Sequence, residues 1–337
     1  MVRSSLYTRL QCGAWSFSDG PLCDLLEDDS VFAVCGFSPS QMNTSPRFIA
    51  TGMQQLAEKN SFELLGASGP VRSGCIETSG LRWVEDDEKL LLSLSLDASD
   101  SDFDYALETE KAYDLLLKEM FQRGFNYMVR VWNYFAGINL GEGDQERYRQ
   151  FCLGRHQALA KHELSKQHFP AACALGRDDG SLLIYLVAAK EPARHIENPQ
   201  QVSAFDYPRC YGPQSPSFAR AAVKSWSRHQ DIYISGTASI LGHKSLHRGD
   251  VLAQTKLTLK NIDVLLESIR LQHQVSLPTL GQPLYLKVYL RSSGDQELVA
   301  DVIHAHWGGA VNCIYLLADV CRQELDVEID AVGCVFV

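Results

Sequence analysis

Residues 205–220 read FDYPRCYGPQSPSFAR. Pro208, Pro213 and Pro216 stiffen this stretch, which carries Tyr207, Arg209 and Tyr211 and ends at Arg220. Proline fixes φ and removes a donor, so the segment is neither helix interior nor central strand. Arginine's planar fork meets a carboxylate bidentately and keeps its charge. Tyrosine adds a phenolic donor and an apolar ring face. A stiff loop bearing both types suits an organic anion, because little ordering remains to be done on binding. A second pair, Tyr148 and Arg155 in RYRQFCLGRH, lies seven residues apart, about two helical turns on one face. The carboxyl candidates stand in LDVEIDAV near the end of the chain. A period of two sends Leu325, Val327 and Ile329 to one side and Asp326, Glu328 and Asp330 to the other. By residue type that second side reads as a solvated polar face, the expectation for Asp326 and Asp330. Judged singly, the arginines are surface residues and the tyrosines half-buried packing. His243 and His247, at i and i+4, lack a third convincing ligand and read as structural or exposed, so no metal or organic cofactor is expected.

The elements that would carry these groups recur. In the second half, DIYISGTASILG is a strand running into a turn and DVLAQTKLTLKNIDVLLESIRL a helix with Leu259, Ile262, Leu266 and Ile269 on one face. PLYLKVYLRSSGD alternates as a strand, GGAVNCIYLLADVCRQ reads as a second helix, and LDVEIDAVGCVFV closes with a strand. The first half repeats the order: strand LLLSLSLDA, helix YALETEKAYDLLLKEMFQRG ending at Gly124, strand YMVRVWNYF, helix DQERYRQFCLGRHQALAKH, strand DGSLLIYLVAAK. VRVWNY stands where LKVYLR stands later, and the repeat recurs at a separation on the order of 150 residues. The expectation is an α+β fold of two related units, with mixed sheets and helices packed on one face.

Composition narrows the class. The chain has 337 residues, 45% of them hydrophobic, with a formal net charge of -10. It has room for one large or two ordinary domains. An acidic chain without a basic stripe argues against nucleic-acid binding. The start, MVRSSLYTRLQCGAWSF, has no leader-like apolar run, and no stretch is long enough to span a bilayer, so no membrane partner is expected. Ten scattered cysteines without C-x-x-C fit reduced thiols and a cytoplasmic protein.

The second half, roughly 217–337, resembles the RidA-like (YjgF-type) fold through IYISGTAS, GDVLAQTKLTLKNIDVLLE, KVYLRSSGD and VEIDAV. The Pro-Ala-Arg-type segment of the simple deaminases is missing, so their imine hydrolysis is not implied. A resemblance covering most of the chain rests on five motifs in order: RVWNYFAGIN, RYRQFCLGRHQAL, FPAACALGRDDGSLLIYLVA, FDYPRCYGPQSPSFARA and ISGTASILGH. Together they are similar to the chorismatase family, also called 3-hydroxybenzoate synthases. That family joins a RidA-like carboxy-terminal unit to a related amino-terminal one. The resemblance implies a degenerate RidA-like domain at 1–195, a proline-rich connection at 196–216 and a RidA-like domain at 217–337, with the active site between the units.

It implies pyruvate release from chorismate, a dianion, with Tyr148, Arg155, Tyr211 and Arg220 as substrate ligands. Glu328 matches the family's catalytic glutamate, which protonates the enolpyruvyl methylene. Cys321 aligns with a cysteine of the hydroxybenzoate-forming branch, which favours 3-hydroxybenzoate with 4-hydroxybenzoate as a further product, and Ala238 is expected as a second wall residue. The alternatives are a lyase giving only 4-hydroxybenzoate and a non-catalytic sensor of small aromatic acids. The motifs are split across one chain, so the site is expected within it; a monomer is compatible with that and the oligomeric state stays open.

Overall fold

Alternating apolar residues build two seven-stranded sheets on one plan. The first sheet and its helices comprise β1 (Arg72–Ile76), β2 (Leu81–Glu85), β3 (Lys89–Asp97), α1 (Tyr105–Gln122), β4 (Tyr127–Ala136), α2 (Arg147–Lys161), β5 (Ala171–Arg177) and β6 (Ser181–Ala189). The second comprise β7 (Arg194–Ile196), β8 (Ala221–Ser225), β9 (His229–Ala238), α3 (Val251–His273), β10 (Leu284–Leu290), α4 (Gln296–Trp307), β11 (Val311–Leu317) and β12 (Val327–Phe336). The spatial orders are β5-β4-β6-β3-β2-β1 and β11-β10-β12-β9-β8-β7. Each strand of the second sheet thus occupies the place of the strand six numbers lower in the first. The pairs β4–β5 and β10–β11 are parallel, and their neighbours β4–β6 and β10–β12 antiparallel. Each sheet is finished by a two-residue strand from elsewhere in the chain: Asp319–Val320 beside β5, and Gln54–Gln55 beside β11. The computed structural model describes residues 14–38, 41, 43–57, 61–100, 102–275, 277 and 283–336. Residues 1–13, most of the stretch read above for a leader, lie outside them.

Local chemistry explains the helix ends. Asp104 caps α1 by accepting from the Leu107 amide, and Asp250 caps α3 through the Ala253 amide. Gly124, at φ +79°, turns the chain out of α1 where a side chain would be strained. The helices α1 and α2 cover one face of the first sheet through Leu116, Met120, Phe151 and Leu159. Those of the second sheet, α3 and α4, do the same through Leu259, Ile262, Leu266 and Ile303. The opposite faces of both sheets meet a third, four-stranded sheet of Trp15–Ser18, Phe62–Gly66, Val31–Gly36 and Phe48–Ala50. Trp15 and Phe32 from the small sheet, Trp132 and Tyr185 from the first, and Tyr233 and Tyr289 from the second share a single core. No helix among the described residues is long and apolar enough to cross a membrane.

Three expectations are corrected. Residues 308–323, read as a helix, hold a 3₁₀ turn, the strand β11 and the edge strand Asp319–Val320. The helix of that region is α4, one segment earlier, where Val299 and Ile303 are buried and Gly308 at φ +56° ends it. Parallel pairing of β11 with β10 along seven residues overrides the helical reading of VNCIYLL, whose β-branched and aromatic content suits a strand. The strand β5 was not anticipated. The far side of β12 is not solvated: Asp330 is 1% exposed in the shared core, and Asp326 is half-buried, accepting from Gln254 Nε2 at 2.8 Å.

Candidate active site

Two adjoining cavities open beside the end of β12. The outer measures ≈ 550 Å³ and the inner, a recess of ≈ 40 Å³, shares Tyr148, Pro216, Phe218, Gly236, Cys321 and Glu328 with it. All seven side chains singled out in the sequence line this space: Tyr148, Cys321 and Glu328 both cavities, Tyr211, Arg220 and Ala238 the outer, Arg155 the inner. They come from α2, the 205–220 loop, β9, β12 and the segment after the Asp319–Val320 strand, so contributions from both large sheets meet here.

Strand irregularity places the carboxyl. The β9–β12 register shifts between Ile234 and Thr237, and past that bulge Ala238 stands directly opposite Glu328. Gly236 lies at the bulge, where a Cβ would come 1.9 Å from Glu328 Oε1 and 3.0 Å from Cys173 Cβ. Only a glycine leaves that volume to the carboxylate. Glu328 is 4% exposed, and Cys321 Sγ lies 4.0 Å from its Oε2. Burial, and next the neighbouring Asp330, push its pKa up to about 8, while Arg130 and Arg220 pull the other way. A carboxyl so placed holds its proton near neutral pH. Burial likewise raises the Tyr148 phenol and the Cys321 thiol, so both are neutral walls.

The cations are poised for an anion. Arg155 is 4% exposed, its guanidinium 5.2 Å from the Tyr113 ring, with Nε and Nη2 buried and without hydrogen-bond partners. Gly154 permits that position, since a Cβ there would lie 2.0 Å from the Ala106 carbonyl oxygen on α1. Arg220 donates through Nη2 to Tyr207 Oη at 2.7 Å and to the Val202 carbonyl at 3.0 Å, leaving Nε without a partner. Neither guanidinium forms an ion pair with a carboxylate among the described residues. A buried guanidinium without a direct ion pair is costly, so both sites are built to receive an anion. The loop is braced from outside, where exposed Arg209 forks onto Asp144. Tyr211 Oη meets His243 Nδ1 at 3.2 Å, and His247 is exposed at φ +62°.

The structure adds residues that sequence reasoning passed over. Arg322 stacks 4.0 Å over the Tyr211 ring, donates to the His243 carbonyl and Ser245 Oγ, and lines the outer cavity. Ser217, 2% exposed, faces the inner recess with its Oγ unpartnered. Tyr207 and Phe218 flank Arg220 at 5.5 and 5.2 Å. Neighbouring Cys321 was the one local signal for Arg322; nothing in the sequence marked Ser217.

Comparison with known proteins agrees with this geometry. The family model "Chorismatase FkbO/Hyg5-like, N-terminal" matches residues 63–188. A 3-hydroxybenzoate synthase of Streptomyces hygroscopicus is 37% identical over 237 residues, 68% of this chain and 69% of that protein. A chorismatase of the same organism is 34% identical over 80% of this chain and 78% of its own length. The crystal structure of a chorismatase superposes with a TM-score of 0.83 at 29% identity, covering 96% of this chain and 98% of the other.

Proposed function

The chain belongs to the chorismatase family, and on that premise we propose that it releases pyruvate from chorismate, forming 3-hydroxybenzoate with 4-hydroxybenzoate as a further product. The single observation that carries this reading is Glu328: a buried carboxyl with its pKa near 8, in cavities whose buried arginines form no ion pair among the described residues and keep guanidinium nitrogens without partners. Cleaving an enol ether begins with a proton on the methylene carbon, and carbon accepts protons slowly, so the donor must stay neutral until it acts. Arg155 with Ser217 in the inner recess and Arg220 with Tyr211 in the outer cavity hold the two carboxylates, and Tyr148 closes the wall between them. Proton transfer leaves the Glu328 carboxylate facing an oxocarbenium-like centre, which it stabilises in a water-poor site.

The neighbouring ring hydroxyl then displaces the pyruvyl oxygen, giving an epoxide-like intermediate that opens and aromatises. Hydroxybenzoate and pyruvate together contain every atom of chorismate, so no water is consumed on this route. The internal nucleophile gains from its effective concentration. Cys321 and Ala238, both beside Glu328, fill the space a competing water would need.

Pyruvate formation from chorismate, followed with lactate dehydrogenase, and chromatography of the aromatic acid test the reading. Turnover with 3-hydroxybenzoate as a product is expected, and E328Q, still binding chorismate, is expected to lose at least about a thousandfold in rate. Chorismate binding without pyruvate, or an unchanged E328Q rate, overturns the assignment.

A further inference from the structure

The inner faces of the three sheets hold a chain of charges that no substrate contact explains. Asp330, two residues beyond Glu328 on β12, shares its face, about 7 Å along the strand. Its Oδ2 accepts from Arg130 Nη2 at 2.8 Å, Trp132 Nε1 at 3.0 Å and Tyr289 Oη at 3.1 Å. On the other side Lys287 Nζ lies 3.9 Å from Asp330 Oδ1 and donates to both Glu63 oxygens at 2.9 and 2.8 Å. Arg130, Asp330, Lys287 and Glu63 are all at most 2% exposed, and they join β4, β12, β10 and the small sheet.

We propose that Asp330 is a positioning residue that fixes the protonation of Glu328, with Arg130 and Lys287 as counter-charges restraining its field. The inference rests on the reading of Glu328 as the acid. The four charges sum to zero, so the field at Glu328 depends on their order, and the member on its own strand face is the anion. The other polar groups facing Glu328 are Tyr148 from α2, Cys173 from β5 and Tyr289 from β10, together with Cys321, Arg322 and Arg220. From β9, Gly236 and Ala238 bring no charge. Of the charged neighbours, Asp330 alone raises the Glu328 pKa, whereas Arg130 and Arg220 lower it. The repeat supplies an independent comparison. Register with β10 sets Tyr289 opposite Glu328 and Lys287 opposite Asp330, while register with β4 sets Trp132 opposite Tyr185 and Arg130 opposite Val187. Tyr185 and Val187 therefore occupy the equivalent places in the first sheet. The repeat without the acid also lacks the aspartate.

The pH dependence of kcat/KM separates tuning from mere support. Glu328 must be protonated, so wild-type activity falls as pH rises through its pKa. D330N removes the raising charge and uncovers Arg130, moving this alkaline limb down by about one pH unit or more. R130M and K287M leave Asp330 less compensated and move the limb up. The double variant D330N/R130M lies between the two single variants. A structural role would lower kcat without moving the limb. Near-UV circular dichroism checks that each variant is folded, and should D330N not fold, K287M alone carries the sign test. An unmoved limb in folded D330N, or shifts of one sign for D330N and K287M, overturns the proposal. Full activity in E328Q would instead remove the acid assignment on which it rests.

Discussion

Glu328 is caught between two physical demands. An acid that protonates carbon must keep its proton in a neutral solution, and it must nevertheless stand beside arginines that recruit carboxylates. Burial answers the first demand, because the charged form loses its hydration. The effect has a stability signature. The folded-state pKa, about 8, lies above the ordinary 4.5, so the folded protein binds this proton more tightly than the unfolded chain. Stability contributed by the group is complete below about pH 4.5 and is lost as pH rises through about 8. Glutamine has no such dependence. In urea unfolding, E328Q is therefore expected to gain on the wild type across this window, by on the order of 3–5 kcal/mol between pH 4.5 and 9. A difference that stays constant with pH would mean that Glu328 ionises freely in the folded state.

The bulge in β9 is the element on which the site turns. It sets Ala238 opposite Glu328 and opens, at Gly236, the space for the carboxyl. Gly236→Ala puts a methyl group into the Oε1 position. The carboxyl must rotate away, and turnover is expected to fall at least about a hundredfold, consistent with misplacement by about 1 Å. The strain costs about 1–3 kcal/mol, so the protein stays folded. Rate and melting temperature measured on the same preparation check this; undiminished turnover would show that Glu328 acts from another rotamer. Helix α2 makes the complementary contribution. Its seven-residue spacing carries Tyr148 to both cavities and Arg155 to the inner recess, a relation readable in the sequence because a helix face depends on local geometry alone.

At the scale of the whole molecule, three sheets share one core and one buried charge chain. Lys287 to Glu63 ties the second sheet to the small one, and Asp330 to Arg130 ties it to the first. The edge strands Gln54–Gln55 and Asp319–Val320 are exchanged between the halves. Neither repeat can open without exposing the aromatic core and leaving charges unpaired, a cost of several kcal/mol per broken pair. Denaturation is expected as one cooperative step, with tryptophan fluorescence and far-ultraviolet circular dichroism tracing the same curve. Trp15, Trp132 and Trp226 report from the three sheets. Two resolved transitions would show that the halves fold independently.

By itself the sequence determined the repeat and the motifs: VRVWNY and LKVYLR became β4 and β10, the corresponding strands of the two sheets. Its five family motifs hold Tyr148, Arg155, Tyr211, Arg220 and Ala238, while Glu328 and Cys321 were marked on the last strand and the segment before it, and all seven line the cavities. Only the tertiary structure decided which charges are buried. Asp330 alternates like a solvated residue, yet its side of β12 is covered by another sheet nearly two hundred residues distant in sequence. Residues 311–317 became a strand because β10 offered a parallel partner, and Ser217 and Arg155 matter because their polar atoms are enclosed without partners. Periodicity records which side of an element a residue takes, but what lies on that side, water or another sheet, is set by contacts between distant segments.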